Sequence, residues 1–103
     1  MNRQILEEIK NVKQEILPEG KVILFGSQAR GDEREDSDWD LLVLIDKSES
    51  MMEDYNKYGY PFTEKGFKYG VYISPKIYTK EEWEKRRPTP FYKNVERDGI
   101  EIV

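Results

Sequence analysis

The sequence predicts an α/β fold on three observations: an amphipathic helical stripe near its start, two short apolar runs rich in β-branched residues, and turn and capping signals between the runs. Ile5, Ile9, Val12 and Ile16 recur at spacings of four, three and four, with Glu, Lys and Gln between them. Residues 3 to 17 are therefore expected to form a helix with one apolar face. Pro18-Glu19-Gly20 ends it, because neither proline nor glycine supports a continuing helix. Lys21-Val22-Ile23-Leu24-Phe25 is a compact β-branched and aromatic run that reads as a buried strand. Gly26-Ser27 then reads as a strand-to-helix turn, with Ser27 as N-cap of a short helix through Ala29 and Arg30 that Gly31 closes.

Trp39 to Ile45 carries Leu41, Leu42, Val43 and Leu44 in succession, apolar on both faces, which predicts a central strand. Ser50 with Glu53 reads as a capping box, and Met51, Tyr55, Tyr58 and Phe62 continue at helical spacing until Gly59 and Pro61 bend or end the helix. Gly66 and Gly70 bracket a turn or short strand. Val71 to Tyr78 reads as a third strand, and Pro75, which has no N–H for a ladder, assigns it to an edge or a bulge. Thr79 with Glu82 is a second capping box, opening a helix to about Arg87. Pro88 and Pro90 break that helix, Phe91 to Arg97 supply a further turn or two, and Ile100 to Val103 a last short strand.

Composition restricts the chemistry. A length of 103 residues fits one domain, 1–103, and 37% hydrophobic with 13% aromatic residues supports a packed core. The absence of Cys excludes disulfide scaffolds, thiolate zinc sites and cysteine nucleophiles. The absence of His removes imidazole as ligand and base, so carboxylates must carry any metal or acid–base chemistry. The start, Met1-Asn2-Arg3-Gln4, has no run of signal-peptide length and no stretch suits a membrane span, so the expectation is a soluble, cytoplasmic protein. A net charge of −4 does not suit direct nucleic-acid binding. Ten acidic and only two basic residues fall between Asp32 and Asp54, and Asp32 to Asp36 reads as a solvated acidic loop.

A constellation with chemical meaning begins just before that segment and extends into it. A glycine removes the side chain that would keep a phosphate from the backbone, and a helix-opening serine offers free amides, a hydroxyl and a positive helix end to the same anion. Alternate strand residues share a face, so Asp38 and Asp40 converge while Trp39 points away, a pairing suited to a hard divalent cation. Each feature alone also has an ordinary explanation: a helix-capping turn for Gly26-Ser27, and strand-end solvation or turn capping for the aspartates.

Phe25-Gly26-Ser27-Gln28-Ala29-Arg30-Gly31, followed by Ser37-Asp38-Trp39-Asp40-Leu41-Leu42-Val43, resembles the signature of the DNA polymerase β-like nucleotidyltransferase superfamily: Gly-Ser, ten residues, Asp-x-Asp. The short chain and the local residues are most similar to its minimal nucleotidyltransferase (MNT) domains, including the antitoxin halves of HEPN/MNT pairs. The resemblance implies the nucleotidyltransferase fold, a small mixed β-sheet flanked by helices of the α/β (α+β) kind. It implies that ATP or another nucleoside triphosphate binds through Gly26 and Ser27, and Mg²⁺ through the catalytic Asp38 and Asp40. Arg30, one helical turn beyond Ser27, is placed either to reach a phosphate or to stand in solvent paired with an Asp.

Full catalysts of that superfamily carry a third carboxylate on a following strand, and Val71 to Tyr78 has none. Ser74 falls at its position, or Tyr72 if the register is two residues earlier, and no spacing brings Glu64 there instead. Two functions follow. One is transfer of a nucleoside monophosphate, AMP by preference, to a hydroxyl of a protein partner or small molecule, as in an MNT antitoxin. The other is a catalytically impaired binding module that neutralises a HEPN-type partner by occlusion. A homo-oligomer is compatible with both. Tyr55, Tyr58, Tyr60, Phe67 and Tyr69 read as core edge and interface, and Trp83, Phe91 and Tyr92 as packing of the C-terminal segment onto the sheet.

Overall fold

A computed structural model describes residues 1–47 and 50–103. Its first helix, α1 (Arg3–Ile16), is capped by the Asn2 side chain, which accepts from the amides of Gln4 and Ile5, and it buries Ile5, Ile9 and Val12 on its apolar stripe. Then follow β1 (Lys21–Phe25), the single turn α2 (Ser27–Arg30) and β2 (Trp39–Ile45). Two helices, α3 (Met52–Tyr58) and α4 (Tyr60–Phe67), lead to β3 (Ile73–Thr79), and α5 (Lys80–Glu84), α6 (Pro90–Asp98) and β4 (Ile100–Ile102) complete the described elements.

The strands form one sheet in the order β3-β2-β1-β4. β1 runs antiparallel to both β2 and β4, whereas β2 and β3 are parallel, so the sheet is mixed as expected. A parallel pair needs a crossover, and α3 and α4 provide it. β2 is central and β3 is an edge strand, which is where Pro75 is tolerated.

Strand alternation sorts the core into two layers. Leu41, Val43 and Ile45 of β2 join Val22, Leu24, Ile73 and Ile102 beneath α1 and Phe62 of α4. On the opposite face Leu42, Leu44 and Ile23 meet Trp83 of α5 and Val95 of α6. Trp83 lies against Phe91 and Tyr92 with ring centroids 5.4 and 4.8 Å apart, and Phe91 meets Phe25 edge-on at 5.4 Å. These rings pack the C-terminal segment onto the sheet, in agreement with the sequence reading.

Several local expectations need correction. The helix opening near residue 50 is capped not by Ser50 and Glu53 but by Asp54, whose carboxylate accepts from the Met51 amide at 2.8 Å. Ser50 instead donates its amide and hydroxyl to Glu82, both at 3.1 Å. Gly59 divides α3 from α4, as its missing side chain suggested. α5 ends at Glu84 rather than near Arg87, and turns bridge it to α6. Of the aromatic group, only Tyr58 packs at the core edge, whereas Tyr55, Tyr60, Phe67 and Tyr69 are exposed.

Candidate active site

The site is built where β1 ends beside the start of β2. Phe25 and Asp40 are direct cross-strand partners, so the chain leaving β1 turns against the Asp40 carboxylate. Gly26 makes that turn with φ +77° and ψ −158°, a backbone conformation that side-chain-bearing residues rarely adopt. A Cβ at Gly26 would lie 2.5 Å from Asp40 Oδ2, so the absent side chain also gives the carboxylate its space.

Gly26, not Ser27, occupies the N-cap of α2, and no side chain caps this helix. Ser27 is its first residue. The amides of Ala29 and Arg30 both reach the Gly26 carbonyl at 3.1 Å, whereas Ser27 and Gln28 precede any intrahelical acceptor. Since α2 is a single turn, its dipole is small. The usable features for an anion are the bare Gly26 backbone, the leading amides and the Ser27 hydroxyl.

Asp38 is exposed in the loop entering β2, and Asp40 is half-buried as the second residue of the strand. Trp39 between them is only 2% exposed and points into the α1 side of the core, so the aspartates take the other face. Burial raises the Asp40 pKa above the ordinary carboxylate value, and the neighbouring charge of Asp38 adds to this, while Lys76 and Arg30 act in opposition. The site thus carries negative charge that a bound cation would relieve.

Arg30 is bound to Asp32, Nε to Oδ2 at 3.2 Å, which matches the Asp-paired alternative. It still lies close enough to Asp40 to lower that group's pKa. Of the two candidates for the carboxylate position, Ser74 pairs with Asp40, whereas the Tyr72 carbonyl accepts from the Trp39 amide at 2.9 Å just before the strand begins. Glu64 is exposed on α4, which covers the opposite face. Among the described residues no group of three or more acidic side chains forms a metal cage.

Two further residues escaped the sequence reading. Gln28 is buried on the inner face of α2, and its Nε2 donates to the Ser37 carbonyl at 3.3 Å, tying the phosphate-side turn to the loop that delivers Asp38. Its position directly after Ser27 was a signal only once α2 had a buried side. Lys76 follows Ser74 by two residues on β3 and pairs with Leu42, so it shares the face of Asp40. Nothing in the strand pattern marked it, because an edge lysine is ordinary.

With a Gly-Ser turn at the end of one strand and an Asp-x-Asp pair opening its neighbour, the chain belongs to the nucleotidyltransferase domain family, which it matches over residues 4–100. Two similar proteins come from Methanocaldococcus jannaschii, each described as a candidate protein adenylyltransferase. One is 38% identical over 104 residues, covering 96% of this chain and 99% of the relative. The other is 37% identical over 79 residues, covering 77% of this chain and 73% of its own. A crystal structure of a toxin–antitoxin with AMP-PNP shares the fold, with a TM-score of 0.60 and 15% identity, across 95% of this chain and 72% of that one.

Proposed function

We propose that this chain binds an Mg²⁺-nucleoside triphosphate, ATP by preference, and transfers the nucleoside monophosphate to a hydroxyl of a protein partner. The observation that carries this reading is the packing of the Gly26 backbone against Asp40, which sets a bare strand-to-helix turn beside a carboxylate, the arrangement a metal-bound phosphate would need. The adenylyltransferase description of the archaeal relatives supports adenylate as the transferred group and a protein as the acceptor.

The donor set suits a single Mg²⁺: two carboxylates, with the remaining oxygen ligands left to phosphate and water. Asp38 and Asp40 would hold the ion, whose chemical contribution is to neutralise charge on the phosphates and on the departing pyrophosphate. Gly26, Ser27 and Gln28 would bind the phosphate oxygens through backbone amides and the Ser27 hydroxyl. In the transfer, the acceptor oxygen forms a bond to the α-phosphorus, the bond to the bridging oxygen breaks, and pyrophosphate leaves. The hydroxyl proton passes to solvent or to a base on the acceptor, because the Ser74 hydroxyl is no base near neutral pH.

The neutral Ser74 opposite Asp40 favours a second reading. The chain would then retain nucleotide and metal but turn over slowly or not at all, and would act on a HEPN-type partner by occlusion. Calorimetric titration with ATP, with and without Mg²⁺, tests the binding common to both. Heat that requires Mg²⁺ and disappears in the Asp38→Asn/Asp40→Asn double variant is the expected result. Equal heat in wild type and double variant would reject the metal assignment. Transfer of labelled AMP to a co-purified partner then separates enzyme from binding module.

A further inference from the structure

We propose that Lys76 supplies a fixed positive charge at the phosphate site, so that the chain holds its nucleotide with one divalent cation and one ammonium rather than with two metal ions. This rests on the nucleotide-binding reading above and concerns how that same site balances charge.

β3 carries no carboxylate, so among the described residues Asp38 and Asp40 are the acidic side chains that β2, its entry and β3 bring to this end of the face. Ser74 stands directly beside Asp40 in the parallel ladder, and a neutral hydroxyl gives a second cation no charge to bind. One divalent ion balances Asp38 and Asp40 and leaves the triphosphate's own charge largely uncompensated. Lys76 is the next residue of β3 on the same face, about 7 Å along the strand from Ser74 at the usual rise per residue. A four-carbon stem covers that distance and ends in a compact point charge, the form in which lysine binds phosphate.

Lys76 is also available. It is exposed on an edge strand, with no neighbouring strand beyond it among the described residues, and it makes no ion pair or side-chain hydrogen bond among them. Arg30, the other cation near Asp40, is already committed to Asp32. The ladder partner of Lys76, Leu42, is two residues from Asp40 on the same face, which sets the Lys76 stem beside the strand that carries the aspartate. An edge lysine that merely blocks strand pairing would have no reason to affect nucleotide affinity.

The test counts manganese and measures affinity on the full chain, using Mn²⁺ in place of Mg²⁺ and ATP as the nucleotide. Paramagnetic resonance of the saturated complex should give one Mn²⁺ per chain in wild type and a second in Ser74→Asp. Lys76→Met should weaken Mn-ATP binding about tenfold, a factor typical of one charge-assisted contact, and Lys76→Arg should restore most of it. An unchanged melting temperature in Lys76→Met would show that the fold is intact. Two Mn²⁺ in wild type, or full affinity in Lys76→Met, would overturn this proposal while leaving nucleotide binding intact. Failure of wild type to bind Mn-ATP would overturn both.

Discussion

The Asp40 carboxylate and the backbone of Gly26 share one small volume, and each limits what the other can be. Gly26→Ala would force a Cβ to within 2.5 Å of Asp40 Oδ2 at a positive φ. The strained backbone alone costs about 1–3 kcal/mol. The variant should show a lowered urea midpoint together with lost Mg²⁺-ATP binding. Asp40→Asn should behave oppositely in stability. Because the folded protein holds the Asp40 pKa above its ordinary value, ionised Asp40 opposes folding at pH values above that raised pKa. Below about pH 4, where the unfolded carboxyl is itself protonated, the cost is absent. Asp40→Asn is therefore expected to melt higher than wild type at neutral pH, with the gain vanishing on acidification. A lower melting temperature at pH 7 would contradict the assignment of strain to that carboxylate.

Among the elements, α5 shows how one short helix joins distant parts of the chain. Thr79 caps it, accepting from the Glu82 amide at 3.0 Å, and Glu82 returns the contact by accepting from the Thr79 amide at 2.9 Å. The second Glu82 oxygen holds Ser50, so the capping box also anchors the approach to α3. Thr79→Ala should cost about 1 kcal/mol, measured by chemical denaturation. These bonds, first those from the Thr79 and Ser50 amides, lower the Glu82 pKa. A lowered carboxylate stabilises the fold fully above its unfolded pKa, near 4.3, and loses that contribution as pH falls through the folded value. Glu82→Gln should accordingly be less stable than wild type at pH 7, with the difference closing under acid. An equal gap at pH 7 and pH 3 would show that the effect is not electrostatic.

The molecule as a whole depends on a sheet buried on both faces. Phe62 and Leu42 are both fully buried, one in the α1–α4 layer and the other beneath Trp83. Truncating Phe62 to Ala should cost about 3–5 kcal/mol, a large part of the total for a small domain. Leu42→Ala should cost about 2–5 kcal/mol and, unlike Phe62→Ala, lies on the face that carries Asp40. At temperatures where both remain folded, nucleotide affinity should fall only in Leu42→Ala. Equal affinity losses would mean that global loosening, rather than the layer under the site, controls binding. No helix among the described residues is long and apolar enough to cross a membrane.

Much of this architecture could be read along the chain. Periodicity placed α1, β1 and β2, because an apolar stripe at helical spacing and runs apolar on both sides each have one packed solution. The turn at Gly26-Ser27 and the entry of Asp38 and Asp40 into the next strand were also legible, because each follows or opens an apolar run. Local chemistry failed where a residue had two partners to choose from: Ser50 gave its bonds to Glu82, 32 residues away, and left the cap to Asp54. Register also lay beyond the sequence, because the side-chain period of a strand is two and a shift of that size changes no pattern. Only the parallel pairing of β2 with β3 put Ser74 rather than Tyr72 beside Asp40, brought Lys76 onto the same face, and left Glu64 on the other. The sequence by itself determined the Gly-Ser turn and the Asp-x-Asp pair of the candidate site, but not Gln28 or Lys76. The tertiary structure decided which of them face one another, because contacts between strands are set by packing across the sheet and not by distance along the chain.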